Sequence, residues 1–333
     1  VGSAAAYHLA AAGNRVLGID QFPPPHDRGS SHGKTRIIRQ AYFEHPAYVP
    51  LLRRAYELWD ELEQQCNTEL LIRTGLVELG PPSGVVIPGV LRSAAEHCLP
   101  IEQVSLAEVS RRWPGIAGPE DWQAVIELDA GFLKVEDCVR AHLQLASRSG
   151  ATCVYGNKVR CWQIGGAGFA VVTDEGVERA ARLVFAGGPW SSSLLADLNL
   201  DLQIRRKHQY WYQADQPGFE LQDGFPCFFH ETPAGFFYGF PSIDGSGVKV
   251  ARGKTRFAEP QRGIVLALDD AGSARVSVET KPGAFDFRPV DLRYGETVPQ
   301  LAGAASVELM PTPTRIAGTP SEEDCPALTV GPN

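Results

Sequence analysis

The sequence predicts an α/β fold whose second part is α+β: a nucleotide-binding unit followed by an antiparallel sheet. Three observations predict it. A chain of 333 residues with 44% hydrophobic and 21% charged residues has the balance of a globular protein of about two domains. Its first twenty residues read as helix, tight turn, strand and acid. From Ile204 onward, short alternating segments replace the helix-and-strand units.

Charge and cysteine usage narrow the function classes. The net charge is -8 and no long run of Lys or Arg is present, so the electrostatic footprint of nucleic-acid or anionic membrane-surface binding is missing. A small-molecule partner is expected. The seven cysteines, Cys66, Cys98, Cys138, Cys153, Cys161, Cys227 and Cys325, stand singly, with neither a CxxC pair nor zinc spacing, which points to free thiols in a reducing, cytoplasmic setting. No metal is expected. No stretch approaches the roughly 18 apolar residues of a membrane span.

Val1 to Gly13 (VGSAAAYHLAAAG) predicts an alanine-rich helix with a Gly-Asn stop, and Val16 to Asp20 a strand ending in an acid. In a dinucleotide-binding βαβ unit the third glycine of GxGxxG opens the helix and a later acid takes the ribose hydroxyls. Gly2 and Asp20 fall on those places if the first strand and first two glycines belong upstream of Val1. Pyrophosphate needs bare backbone N–H groups and the positive end of a helix, which glycine lets it approach. An ordinary α/β unit would read the same way.

Gln21 to Tyr42 reads QFPPPHDRGSSHGKTRIIRQAY. Two arginines three apart in a Gly/Ser/His loop offer a fork for an anion, and Ile37-Ile38 between them argues for partial burial over a solvated basic loop. Gly29, Ser30, His32, Gly33, Thr35, Arg36, Ile37, Ile38 and Arg39 resemble the signature of the monomeric sarcosine oxidase and N-methyltryptophan oxidase family, FAD-dependent amine oxidases of the D-amino acid oxidase superfamily. The resemblance implies a Rossmann-like FAD-binding domain with an antiparallel-sheet substrate domain. It implies that Ser31, His32, Thr35, Arg36 and Ile37 hold the flavin and that Arg39 holds the substrate carboxylate.

Pro50 to Cys66 carries apolar residues at helical spacing behind a first-turn proline. Leu71 to Leu79 predicts a strand, and Ser105 to Trp113 a helix capped by its serine. Ala130 to His142 resembles the stretch that re-enters the flavin domain. Ala151 to Val159 predicts a strand, and on the family pattern Val159 lends its backbone to the adenine; a generic three-strand meander runs on through Phe169 to Val184. Leu183 to Trp190 (LVFAGGPW) predicts a buried strand whose end, at Gly187, Gly188 and Trp190, approaches the cofactor in the family, although a plain strand-to-helix turn would look alike.

The alternating segments IRRKHQYWYQ, PCFFH and FFYGF predict the antiparallel sheet. Phe237 to Arg252 (FYGFPSIDGSGVKVAR) again resembles the family: Tyr238 would line the substrate cavity and Lys249 would lie over the flavin, a fixed cation stabilising superoxide. The expected domains are 1–71 with 134–203 for FAD, 72–133 with 204–252 for substrate, and 253–333 as a divergent tail.

The resemblance runs from Gly2 to Arg252. Gly253 stands where the family has a histidine, Cys325 lies in DCPAL outside the family's flavin-linking context, and the later glycine-rich GHGFK segment has no counterpart. A shifted reading frame and a divergent domain both account for 253–333. The expected activity is FAD-dependent oxidation of an N-methyl or other secondary amino acid by hydride transfer to flavin, with dioxygen reduced to hydrogen peroxide, in a monomer. A dehydrogenase using another acceptor and a non-catalytic fragment are the rivals.

Overall fold

Strands far apart in sequence meet in the sheets that frame the candidate site. The computed structural model describes residues 1–253, except 166–167, 199, 201 and 205–206, and the backbone of strands 264–268, 274–281 and 284–292. Helix α1 (Gly2–Ala11) leads into β1 (Leu17–Asp20), and a long loop leads to β2 (Thr35–Ile38). Then come α2 (Val49–Cys66), β3 (Leu71–Ile72), β4 (Leu76–Gly80), α3 (Val86–His97), β5 (Ile101–Ser105), α4 (Leu106–Arg112) and β6 (Gln123–Glu127). Next are β7 (Gly131–Lys134), α5 (Val135–Arg148), β8 (Thr152–Tyr155) and the meander β9 (Val159–Gly165), β10 (Gly168–Thr173) and β11 (Gly176–Ala180). The short α6 (Ser191–Leu194) precedes β12 (Gln209–Tyr212), β13 (Cys227–Thr232), β14 (Gly235–Phe240) and β15 (Val248–Arg252). Strands β16 (Ile264–Leu268), β17 (Ala274–Lys281) and β18 (Ala284–Leu292) make an antiparallel sheet of their own.

The opening unit forms as predicted. Helix α1 ends where Asn14 Nδ2 and Asn14 N both bond Leu9 O, and its Ala6 and Ala10 bury against Ala146 and Ala151. Strand β1 pairs in parallel with β8, as a unit with a helical crossover requires.

The predicted single strand over Leu71–Leu79 is two strands in different sheets. Gly75 N bonds Ala130 O and Gly75 O takes Cys227 N, so the chain turns there from the β2-β7-β3 sheet into the seven-stranded sheet. That larger sheet runs β12-β15-β14-β13-β4-β6-β5. It is antiparallel at every pairing except β13 with β4, which run parallel. A long crossover separates those two strands in sequence, so no hairpin forces them antiparallel.

The segment predicted as a buried strand at Leu183–Trp190 is instead irregular backbone ending in a 3-10 turn over Gly188–Trp190, with Val184 exposed. A strand needs a neighbouring ladder, and no described strand lies beside it. Phe43, Ile87, Phe132, Phe229, Phe236 and Phe240 fill the main core between α3 and the large sheet. Cys66, Cys98, Cys138, Cys153 and Cys227 are free thiols; Cys161, disulfide-bonded, departs from the expectation. No helix among the described residues is long and apolar enough to cross a membrane.

Candidate active site

The Gly33–Thr35 turn and strand β2 form the centre of the site. Gly33 has φ +91°, an angle that favours glycine, and a Cβ there would overlap Gln209 Oε1 and force that side chain to shift. Lys34 follows at φ +68°, an uncommon angle for a side-chain residue, and two acidic or basic partners hold it. From the first turn of α5, Glu136 Oε1 accepts Gly33 N (2.8 Å) and Lys34 N (3.1 Å). From β15, Lys249 Nζ donates to Gly33 O (2.5 Å), Thr35 O (3.1 Å) and Thr35 Oγ1 (3.1 Å). Outside, Lys34 Nζ meets Asp244 (2.6 Å).

Lys249 is only 2% exposed, with its amine over the rings of Phe240 (4.8 Å) and Trp211 (5.6 Å). Burial, and then the Arg36 guanidinium, bring it down to about 7, with Glu136 and Cys227 pulling the other way. Arg36 donates from Nη1 to Thr35 O (2.8 Å) and from Nη2 to Ser30 O, and burial lowers it against the field of Tyr238 and Glu136. Tyr238 packs edge-on to Phe240, the residue opposite Lys249 in the β14–β15 register. Of the residues expected at the flavin and substrate, Thr35, Arg36, Lys249 and Tyr238 therefore come together. Ile37 is half-buried on β2, His32 is half-buried, and Ser31 is exposed.

Arg39 sits one residue beyond β2 in a different setting. It is 8% exposed, bonded to Glu44 Oε2 (3.1 Å) and 3.7 Å from Glu78 Oε1. The rings of Tyr42, Phe43 and Phe229 lie around its guanidinium at 4.4, 5.1 and 5.6 Å. Glu127 accepts Gln40 N (2.5 Å) and Ala41 N (2.9 Å) just behind it. The sequence reading missed Glu136, Glu44, Glu78 and Glu127. Glu136 had a local signal, an acid in the first turn of a helix; the others become neighbours only through the sheet.

At the β1 end of the fold, the first turn of α1 has no side-chain cap, and Gly2 packs against Ala186, where a Cβ would stand 3.2 Å from the alanine Cβ. Asp20 closes β1 with its carboxylate 41% exposed, accepting Phe22 N (3.0 Å) and facing His26 Nε2 at 3.7 Å. Asn157 N donates to Asp20 O (3.3 Å), which sets the β8–β9 turn and Val159 beside the same strand end. The Trp190 ring stacks obliquely on Phe22 (5.5 Å) and meets His26 (6.4 Å), while Gly187 is half-buried at the foot of the 3-10 turn. Gly2, Asp20, Val159, Gly187 and Trp190 thus share one edge of the fold.

Comparison with protein families matches residues 1–300 to the FAD dependent oxidoreductase (DAO) family. The chain belongs to that family. This FAD dependent oxidoreductase is 43% identical over 255 residues to the monomeric sarcosine oxidase of Streptomyces avermitilis, an alignment covering 75% of this chain and 66% of that protein. It spans about two thirds of the length of such relatives. It is also 36% identical over 253 residues to the N-methyl-L-tryptophan oxidase of Citrobacter koseri, covering 76% of this chain and 67% of that one. In structure it resembles the open form of NikD, described as an unusual amino acid oxidase essential for nikkomycin biosynthesis, with TM-score 0.63, 24% identity, 85% of this chain and 69% of that chain. The family match continues beyond Arg252, where the sequence resemblance was expected to stop.

The residues present fit FAD. An uncapped helix start beside a glycine offers unpaired N–H groups for pyrophosphate, and a partly exposed acid at the end of the adjoining strand suits ribose hydroxyls. Bound FAD supplies an acceptor for two electrons.

Proposed function

We propose that this chain oxidises an N-methyl or other secondary amino acid, passing hydride to FAD and reducing dioxygen to hydrogen peroxide. The observation that carries the reading is the clasp on Gly33–Thr35: Glu136 holds its amides and Lys249 its carbonyls, beside Arg36 and Tyr238. A turn fixed from both sides is suited to hold a planar ring without moving during turnover. The names of the similar proteins support the amine-oxidising chemistry.

In this reading Gly2, Asp20, Val159, Gly187 and Trp190 hold the nucleotide, with Ser31, His32, Thr35, Arg36 and Ile37 around the ring. Arg39 receives the substrate carboxylate by exchanging Glu44 for it, and Tyr238 shapes the cavity. Lys249 Nζ, brought down to about 7, can hold or release a proton at neutral pH. The chain acts as a monomer on a small amino acid, as the name of its relative suggests. The division into 1–71 with 134–203 and 72–133 with 204–252 is supported by the separate sheets β1–β8 and β12-β15-β14-β13-β4-β6-β5.

The test is an absorption spectrum of the purified chain before and after anaerobic sarcosine. Flavin bands that bleach, then return in air with stoichiometric peroxide, are expected. Flavin bands untouched by sarcosine and by other N-methyl amino acids would overturn the reading. A second reading, a dehydrogenase using another acceptor, is favoured by the fact that Lys249 already donates to three protein oxygens. Bleaching without peroxide on aeration would select it.

A further inference from the structure

Glu78 lies in the middle of β4, the strand Leu76–Gly80, whose five residues are all buried. Its side chain is fully buried, neither carboxylate oxygen has a hydrogen-bond partner, and the nearest charge is Arg39 Nε at 3.7 Å, itself without a partner. Three carboxyl groups surround this one guanidinium, and their settings differ. Glu44 is partly exposed and bonded directly to Arg39 Nη2. Glu127 is anchored as an acceptor by two backbone N–H groups. Glu78 has no hydrogen-bond donor among the described residues.

One buried cation cannot compensate three neighbouring anions, two of them buried, and the buried carboxyl that lacks hydrogen bonds to its ionised form is the one that takes the proton. The neighbours of Glu78 in register, Val125 on β6 and Phe229 on β13, do not titrate. The groups that do face it are Arg39, Glu127 and Glu44, with Tyr42 over the far side of Arg39.

We propose that Glu78 is a positioning residue, protonated behind Arg39, and that its proton keeps the guanidinium charge available to a ligand carboxylate. The inference rests on the reading of Arg39 as the carboxylate receptor. Ionised, Glu78 neutralises Arg39 from behind and draws Nε toward itself; protonated, it leaves Arg39 with Glu44, which an incoming carboxylate can replace. The proton comes from solvent and returns to it, with no other bond made or broken. Burial, as the leading cause, pushes the Glu78 carboxyl up to about 8, which places the change inside the working range of pH.

The test compares the holoenzyme with Glu78→Gln, a neutral residue of the same shape, by titrating acetate against the flavin spectrum from pH 6.5 to 9.5. The wild type should lose affinity about fivefold or more across this range. Glu78→Gln should keep the neutral-pH affinity and lose most of that fall, while Glu78→Asp should retain it. Equal pH profiles for wild type and Glu78→Gln overturn the proposal. Independently of any variant, carbon-13 spectra of glutamate-labelled wild type should show one carboxyl titrating above pH 7. Every carboxyl titrating below pH 6 overturns it. Failure of sarcosine to bleach the flavin, with this carboxyl still titrating and acetate still binding pH-dependently, rejects the amine-oxidase reading and leaves the role of Glu78 standing.

Discussion

Gly33→Ala separates two costs that one position combines. Gly33 sits at φ +91°, where an L-residue loses about 1–2 kcal/mol. Its new methyl would also overlap Gln209 Oε1 and stand 3.4 Å from Lys249 Nζ. Gln209 is a flexible side chain and can move, so the overlap adds about 1 kcal/mol rather than abolishing the fold. Gly13 provides the control: φ is +84° and nothing lies within 4 Å of its Cβ position. Gly13→Ala should therefore cost the backbone share alone. In urea unfolding, Gly33→Ala should lose about 2–3 kcal/mol and Gly13→Ala about 1–2. Flavin retained after gel filtration should fall in the first and stay unchanged in the second. Equal destabilisation with equal flavin content would refute the close packing of the turn against β12 and β15.

Two further outcomes concern the same turn and a third the start of α3. Lys249 sits at about 7 in the fold against 10.5 when free, so the unfolded chain binds more protons between those values and stability should rise with pH across that window. Lys249→Met should remove about 2 kcal/mol of that rise between pH 7 and 9, read from urea curves at each pH; an unaltered slope speaks against the buried amine. Glu136→Gln leaves an acceptor for Gly33 N and Lys34 N but not a charged one, and should cost about 1 kcal/mol and lower flavin retention. Glu231 caps α3 by accepting Val85 N and Val86 N (2.8 Å for the latter), so Glu231→Ala should lower the melting temperature by about 3 °C through a loss of about 1 kcal/mol, with flavin content intact.

Local patterns made much of the fold legible. The alanine-rich helix and its Gly-Asn stop, the amphipathic α2 and the serine-capped α4 are all decided within a few residues, and all form where the sequence put them. The GSSHGKTRIIR run stood out as a candidate site but not as structure: Thr35–Ile38 was expected in a loop and is a strand, because β7, almost a hundred residues on, supplies its ladder. The break at Arg73–Gly75 and the parallel pairing of β13 with β4 depend likewise on distant partners. Leu183–Ala186 has the composition of a strand and, among the described strands, no neighbour to make it one. In the site, Arg36, Tyr238 and Lys249 stood out by motif. Glu78 could not, since an acid within LVEL looks like the solvent face of an ordinary strand until α3 and the Phe43 core cover it.

The clasp on the Gly33 turn also sets the order of assembly. Its holders lie 103 and 216 residues away along the chain, at Glu136 and Lys249. Contacts of such separation close late, because the entropy of the intervening loop must be overcome before they return any energy. During synthesis the turn stays open until β15 has left the ribosome, long after α1, β1 and α5 can have met. The amine that closes the turn is thus also its timer: the nascent chain gains a turn held on both sides only when residue 249 is delivered.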